Sequence, residues 1–276
     1  LLKQGVDVRV IMPKYGVIDD KKFKFKKMVE GLKVPTGEND KGEGIICNVV
    51  VHQQPNGPIT YFLENREYYE LRANVYAYAD DHVRWGLLQR GLWEFLKIYE
   101  DWTPDVIHCH DWHTGLVANY FSQYYNQVEK LEHIKTVFTI HNLNYQAPFD
   151  HKFVSELETD YGKADIPDLL DPAFAKLNSM RRGIIYSDLI GVVSPTYTKE
   201  ILTPEYGEGL DSLLREVKPK LVGILNGLDY DDFDPLTDVN LYQNYKKGEW
   251  VSRSKNKTNL QQKFSLKQDL DVPMFG

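Results

Sequence analysis

Four apolar runs in this chain, each typical of a buried strand, are followed by clusters of polar residues that could contact a ligand. The clusters and the runs before them are His110-Asp111-Trp112-His113 after 106–109, His141-Asn142 after Thr136–Ile140, Ser194 after 189–193 and Asn226-Gly227 after 221–225. In a parallel α/β sheet, ligands bind outside the carboxyl ends of the strands. The four clusters would then meet at one edge of the sheet, which predicts a site for a polyhydroxyl or phosphate-bearing ligand.

Each cluster also has a purely structural interpretation. Asp111 or Ser194 could accept hydrogen bonds at the start of the helix that follows it, and for Ser194 this interpretation is favoured. Asn226-Gly227 is a common turn pair, and His141 could be a hydrogen-bonded histidine of the core. The coincidence of the clusters at one edge, more than any single residue, favours a ligand site.

Metal-dependent hydrolysis is the main alternative chemistry. His108 and His110 are two residues apart and would lie on one face of a strand, and His113 and His141 could complete a set of metal ligands. The order His-x-His-Asp-x-His, however, differs from the His-x-His-x-Asp-His of binuclear metallohydrolases. We therefore predict no metal ion and no organic cofactor. The sequence also contains no nucleophile elbow, no P-loop and no Gly-x-Gly-x-x-Gly motif.

The composition disfavours several classes of protein. The chain has 276 residues, of which 42% are hydrophobic and 26% charged, and its net charge is −7. This acidic balance disfavours nucleic acids and anionic membranes as partners, and the apolar runs are too short to span a membrane. Cys47 and Cys109 each lie within a strand-like run, so we predict reduced thiols in the core. A soluble α/β protein is expected.

The elements that must position the clusters alternate between strand and helix patterns. Predicted strands cover Val6–Met12, Phe23–Val34, Gly44–His52, Ile59–Leu63, 106–109, 136–140, 189–193, 221–225 and 272–275. The chain is predicted to begin with the last turn of a helix, which ends at Gly5. A long helix is predicted to start at the cap Asp80-Asp81. Further helices are predicted over 113–127, from Asp171 through Ile184, from Ser194-Pro195 onward and over 255–266. The turn Pro55-Asn56-Gly57-Pro58 predicts a hairpin. We predict an α/β fold with a doubly wound, Rossmann-like parallel sheet and an antiparallel hairpin excursion.

Five sequence motifs point to a known family. They are Tyr76–Asp80, His110–His113, Phe138–Leu143 with Tyr145-Gln146, Val193–Tyr197 and Leu225–Asp229. In this order and spacing they resemble glycogen and starch synthases of glycosyltransferase family 5, over nearly the whole chain. The resemblance implies one lobe of a GT-B glycosyltransferase, in which two Rossmann-like domains face a cleft. Residues 1–250 would form the amino-terminal, acceptor-side domain, and residues 251–276 an interdomain helix and the start of a second domain.

The resemblance also implies an activity and a set of functional residues. The activity is retaining transfer of glucose from ADP-glucose to the non-reducing end of an α-1,4-glucan or maltooligosaccharide, without nucleic-acid or membrane partners. His141 would line the glucosyl pocket and stabilise developing positive charge at the anomeric carbon. The implied catalytic residues are His141 and Asp111, and the implied substrate-binding residues are Tyr78, His110, His113, Asn142, Gln146 and Asn226. A bacterial cytoplasm is favoured over a plastid stroma as the location.

Three departures from the family pattern affect these expectations. The family's Lys-x-Gly-Gly-Leu loop would precede this chain, and the second domain, which supplies most nucleotide contacts, would follow it. We therefore expect the isolated chain to be inactive, and the choice between ADP-glucose and UDP-glucose stays open. Ala147 stands where the family often has glycine, which would shift a turn that needs positive φ. A glucan-binding module, with Tyr78, Trp112 or Tyr145 as stacking rings, is a further alternative.

Overall fold

The computed structural model describes residues 1–37, 44–148 and 162–275. By compactness the chain divides into two units, Leu1–Leu225 and Asn226–Gly276. This division falls before the predicted boundary after residue 250. The predicted functional division, into an acceptor-side domain and the start of a second domain, stays a prediction.

The first four strands form a mixed sheet. They are β1 (Arg9–Pro13), β2 (Lys26–Val34), β3 (Ile45–Gln53) and β4 (Ile59–Glu64), in the order β1-β4-β3-β2. Strands β3 and β4 pair antiparallel across the predicted turn, which confirms the hairpin. Strand β1 pairs parallel with β4, so the hairpin belongs to a sheet of its own together with β1 and β2. It is therefore more than an excursion beside the parallel sheet.

The next four strands form the predicted parallel sheet. They are β5 (Val106–His110), β6 (Lys135–Ile140), β7 (Leu189–Val192) and β8 (Leu221–Gly223), paired in that order. All three pairings are parallel. The central strand β6 buries Phe138 and Ile140 completely, as the β-branched and aromatic run predicts. The carboxyl ends of β5, β6 and β7 therefore lie side by side.

Five of the six described α-helices lie in the first unit, between or after its strands, and the sixth lies in the second unit. Within the described residues they are α1 (Asp81–Ile98), α2 (Val117–Tyr120), α3 (Ser179–Tyr186), α4 (Pro195–Glu200), α5 (Asp211–Glu216) and α6 (Trp250–Lys263). Helix α1 buries Leu87, Trp93 and Phe95 in the core, and the Trp93 indole donates to the carbonyl of Val117 at 2.9 Å. None of the described helices combines the length and apolar character that crossing a membrane requires.

Several predicted helix details are wrong. The stretch predicted as one helix over 113–127 is a 3₁₀ turn, then α2, then the π turn Phe121–Tyr125. The helix predicted from Asp171 is interrupted: a 3₁₀ turn covers Phe174–Lys176, Leu177 is extended, and α3 starts afresh at Ser179. The interruption arises because Asn178 caps α3, accepting from the backbone N–H of Arg181 at 2.9 Å.

Three further expectations can be compared with the structure. At the start of α1, Asp80 pairs with Arg72 at 2.6 Å and Asp81 accepts from the N–H groups of the preceding turn, so neither acts as the predicted helix cap. Residues 272–275 are described but form no strand, so the strand predicted there is wrong. Cys47 and Cys109 are both buried free thiols, as predicted.

Candidate functional site

Three of the four predicted polar clusters follow β5, β6 and β7 at the carboxyl edge of the parallel sheet. His110 is the last residue of β5 and pairs in register with Thr139 of β6. His141 follows the last residue of β6, and Ser194 follows β7 by two residues. The predicted capping role of Ser194 is confirmed, because its hydroxyl accepts from two N–H groups at the start of α4. Asn226 is the first residue of the second unit, and its substrate role stays a prediction.

Asp111 joins the end of β5 to the turn after β6. Its N–H donates to the carbonyl of Thr139 at 3.0 Å. Its carboxylate accepts from the N–H of His141 at 2.8 Å and from that of Asn142 at 3.5 Å. The alternative interpretation of Asp111 as the cap of its own helix is therefore wrong, because the carboxylate holds the neighbouring turn instead.

The backbone of Asp111 adopts a rare conformation. Its φ is 54° and its ψ −176°, in a region that is costly for any residue with a Cβ, by about 1–3 kcal/mol. Such strain persists only where the surroundings enforce it, here the paired strand ends and the two hydrogen bonds to the turn. A strained residue at the edge of a parallel sheet is a recurrent feature of functional sites.

His141 lies exposed on this turn and contacts a second histidine. Nε2 of His141 lies 3.0 Å from Nδ1 of His110, and the two rings are 5.2 Å apart. The His110 ring also lies 4.3 Å from that of His108, whose Nε2 is 2.7 Å from Oγ1 of Thr139. A row of three imidazoles therefore runs along the carboxyl half of β5 to the turn after β6.

The pKa values of two of these histidines favour the neutral ring. Burial, together with the neighbouring rings of His108 and His141, lowers the pKa of His110 to about 4. Burial and His141 also lower the pKa of His108. Since the pKa values of His108 and His110 are lowered, these two rings can act through hydrogen bonds and tautomers but not through fixed positive charge at neutral pH.

His113 belongs to a different environment. Its ring packs against Trp112 at 4.1 Å, Trp85 at 4.7 Å and Tyr76 at 5.3 Å. Burial lowers its pKa to about 4, although the carboxylates of Asp111 and Asp81 act in the opposite direction. The four histidines of the hydrolase alternative are therefore not gathered around one point, and no group of three or more metal-ligating side chains is found among the described residues.

The turn after β6 is held from the side of α4 as well. The N–H of Leu143 donates to the hydroxyl of Tyr197 at 3.1 Å. The side-chain oxygen of Asn142 accepts from the N–H of Asn144 at 3.0 Å and closes the turn. Asn142 itself is exposed beside His141, where its amide nitrogen can reach a ligand. Tyr197 lies within the Val193–Tyr197 motif, but no local pattern singles out its ring.

Gln146 is structural in this arrangement. It is 1% exposed; its Nε2 donates to the carbonyl of Glu208 at 2.8 Å, and its Oε1 accepts from Asn178 at 2.6 Å. Both ends of its amide are therefore used inside the protein, and direct contact with a substrate is not supported. Ala147 is buried next to it and is not among the described residues with positive φ.

The candidate stacking rings differ in accessibility. Trp112 is buried in the core, whereas Tyr145 is 61% exposed. The Tyr78 ring lies 4.9 Å from the guanidinium groups of Arg72 and Arg84, and its hydroxyl accepts from the N–H of Asn74. Tyr76, two residues earlier, is 54% exposed and packs against His113. Of the two tyrosines in the Tyr76–Asp80 motif, Tyr76 is therefore the one with the more accessible ring.

The chain is similar to proteins of known type. The family described as starch synthase catalytic domain matches residues 1–216. A glycogen synthase of Clostridium novyi (strain NT) is 37% identical over 276 residues, covering 100% of this chain and 56% of that protein. A glycogen synthase of Lacticaseibacillus casei (strain BL23) is 39% identical over 280 residues, covering 99% and 55%. The chain thus spans about half the length of the curated relatives it matches.

A solved structure shares the fold. It is the catalytic domain of Starch Synthase IV from Arabidopsis thaliana bound to ADP and acarbose, with a TM-score of 0.72 and 25% sequence identity. The match covers 95% of this chain and 52% of that chain.

Proposed function

Because this chain belongs to the starch synthase catalytic domain family, we propose that it forms the acceptor-side part of a retaining glucosyltransferase that extends α-1,4-glucan. The observation that carries the proposal is the exposed His141, held by the strained Asp111 at the carboxyl edge of the parallel sheet. Glycogen synthase relatives that match this chain over its whole length support the same assignment.

The proposed reaction transfers a glucosyl group. The bond between the anomeric carbon and the diphosphate oxygen breaks, and a bond to the acceptor O4 forms. The acceptor's hydroxyl proton passes to the leaving diphosphate, so that the reaction needs no redox partner. Positive charge develops at the anomeric carbon, and groups aimed at that charge lower the barrier.

His141 can meet this requirement from the turn after β6. An imidazole and an adjacent backbone carbonyl can together hold a sugar hydroxyl and face the anomeric carbon. Asp111 fixes the His141 backbone through the 2.8 Å hydrogen bond, and its carboxylate adds negative charge beside the turn. Correct placement of such groups contributes much of an enzyme's rate, because orientation is settled before the reaction begins.

We propose ADP-glucose as the donor and a linear α-glucan as the acceptor. The structural neighbour is described as bound to ADP and acarbose, and the relatives are bacterial glycogen synthases, which favours the bacterial cytoplasm as the location. On this chain, the exposed amide of Asn142 and the ring of Tyr145 are the candidate sugar contacts nearest in sequence to His141. Tyr76 with His113 forms a second aromatic surface in the same unit.

A graft tests the proposal. The 276 residues replace the matching segment of the Clostridium novyi glycogen synthase, and incorporation of glucose into glycogen is measured with ADP-glucose and UDP-glucose. We expect synthesis, faster with ADP-glucose, and a fall in kcat of at least a hundredfold for His141→Ala with a smaller change in donor KM. Asn144→Ala, three residues along the same turn, is the control. Near-normal turnover by the His141 variant would refute the assignment.

A binding measurement separates catalysis from simple glucan binding. Maltoheptaose is titrated against the 276-residue chain and its Tyr145→Ala and Tyr76→Ala variants. Millimolar affinity that is weakened by one of these substitutions would identify the acceptor surface. If the grafted enzyme is inactive while the chain binds maltoheptaose, the glucan-binding alternative replaces the transferase proposal.

A further inference from the structure

The contact between His110 and His141 assigns His110 a role other than substrate binding. We propose that His110 is a positioning residue: its Nδ1–H donates to Nε2 of His141 and holds His141 in the neutral tautomer whose proton is on Nδ1. This inference rests on the proposed function for its catalytic meaning, but the hydrogen bond and the tautomer can be measured without any activity.

The distance restricts the protons that the pair can carry. The two facing nitrogens are 3.0 Å apart, which is a hydrogen bond only if one nitrogen carries a proton and the other a lone pair. Two N–H groups facing each other at this distance would repel. The hydrogen bond on one ring nitrogen therefore decides which tautomer the ring adopts.

His110 is the better anchored partner. It ends β5 and pairs in register with β6. Its N–H donates to Oγ1 of Thr114 at 2.6 Å, and the same hydroxyl donates back to the His110 carbonyl at 2.9 Å. Its ring lies against that of His108, which contacts Thr139 in turn. His141 instead lies on a turn. We therefore expect His110 on the strand to orient the ring of His141, and not the reverse.

The proposed direction of the hydrogen bond is the one that keeps the His141 ring neutral. The titratable groups that face the pair are the His108 ring on β5 and the carboxylate of Asp111, whose Oδ1 is already engaged by the His141 N–H. A cationic His141 would oppose positive charge at the anomeric carbon. If His110 donates, the lone pair of His141 Nε2 is occupied, and the ring can become cationic only by giving up this hydrogen bond.

The first experiment is spectroscopic and uses the 276-residue chain. Two-dimensional ¹H–¹⁵N spectra of the imidazole nitrogens report which nitrogen of His141 carries the proton at pH 7.5. We expect Nδ1–H, the tautomer that free histidine side chains disfavour. In His110→Leu, His141 should revert to the Nε2–H form. In His110→Asn, whose amide nitrogen can take the place of Nδ1, the Nδ1–H form should persist. His133→Gln, at an exposed site outside this row, is the control.

The second experiment connects the tautomer to turnover in the grafted glycogen synthase. His110→Leu should lower kcat about tenfold, the loss expected for one neutral hydrogen bond, with less than a twofold change in donor KM, and His110→Asn should restore most of it. The inference is overturned if His141 of the wild-type chain carries its proton on Nε2, or if the His141 tautomer is the same in His110→Leu as in the wild type. Either result counts whatever the activity of the grafted enzyme. Failure of the graft to make glucan, with the Nδ1–H tautomer observed, refutes the proposed function and leaves the positioning contact established.

Discussion

Replacing Asp111 by glycine and by alanine separates the two opposing contributions of this residue to stability. The carboxylate stabilises the turn after β6 through its hydrogen bonds to the N–H groups of His141 and Asn142. The backbone conformation, with φ at 54°, opposes folding for any residue that has a Cβ. Alanine removes the first contribution and keeps the second, whereas glycine removes both.

The magnitudes predict an unusual order. A hydrogen bond to a charged group contributes about 1.5–3 kcal/mol, and the lower value applies because the turn is exposed to water. Asp111→Ala should therefore lower the free energy of unfolding by about 1.5 kcal/mol. Glycine relieves strain of about 1–3 kcal/mol but costs about 0.5–1 kcal/mol in chain entropy. We expect Asp111→Gly to be about 1 kcal/mol more stable than Asp111→Ala.

Asp188, the residue before β7, provides a matched control because its carboxylate hydrogen-bonds the amino-terminal part of β6, as that of Asp111 hydrogen-bonds the turn after β6. Its carboxylate accepts from the N–H and hydroxyl of Thr136 at 2.8 and 3.0 Å, but it is not among the described residues with positive φ. At Asp188 the ordinary order should hold, with alanine more stable than glycine. Urea-induced unfolding, followed by the fluorescence of the buried tryptophans, measures all four variants.

The outcome that would refute the reasoning is the same order at both sites. If alanine is the more stable variant at Asp111 as well, its backbone conformation carries no strain. If both Asp111 variants match the wild type, the carboxylate does not hold the turn. In the grafted enzyme, both Asp111 variants should lose most activity despite their different stabilities, because each releases the N–H of His141.

Three further predictions concern residues around the site. The folded-state pKa of His113, about 4, lies below its ordinary value of 6.5. Between these values the unfolded state binds more protons, so the free energy of unfolding should fall as the pH is lowered through that window. Urea unfolding from pH 7 to 4 should show a shallower fall in His113→Phe and the wild-type fall in His133→Gln. Tyr197→Phe removes the acceptor of the Leu143 N–H; it should cost about 1 kcal/mol and speed hydrogen exchange of that amide, measured by NMR. Gly115→Ala would drive a Cβ into a backbone carbonyl of α3 and should lower the thermal unfolding midpoint by about 5 °C or more.

The position of the site could be predicted from the sequence because it depends on strand order. Apolar runs that end in polar residues identify the carboxyl ends of strands, and parallel pairing brings those ends together whatever the side chains do. His110, Asp111 and His141 were found in this way, and β5, β6 and β7 are neighbours in the structure. The strands themselves followed from β-branched and aromatic residues in short runs.

The roles of individual side chains could not be predicted in the same way. Asp111 precedes a helical turn, and local spacing therefore suggested a cap, but its acceptor partners are on another strand. Gln146 stood beside exposed residues in a motif, yet long-range partners bury both ends of its amide. The break before α3 depends on Asn178 serving as a cap and as a donor to Gln146. Contacts between residues that are distant in sequence leave no local signal.

The way His141 is held indicates that its position is set by the fold and needs no ligand. Asp111, which follows β5, holds the His141 backbone, and His110, the last residue of β5, contacts the His141 ring. Tyr197 of α4 accepts from the N–H of Leu143 in the same turn. Each support comes from an element fixed by the parallel sheet. A substrate would therefore find the imidazole already oriented, and the free energy of binding would not be spent on ordering this turn. Substitutions in the supports should accordingly affect kcat more than donor affinity, whereas substitutions of exposed sugar contacts such as Asn142 should affect KM.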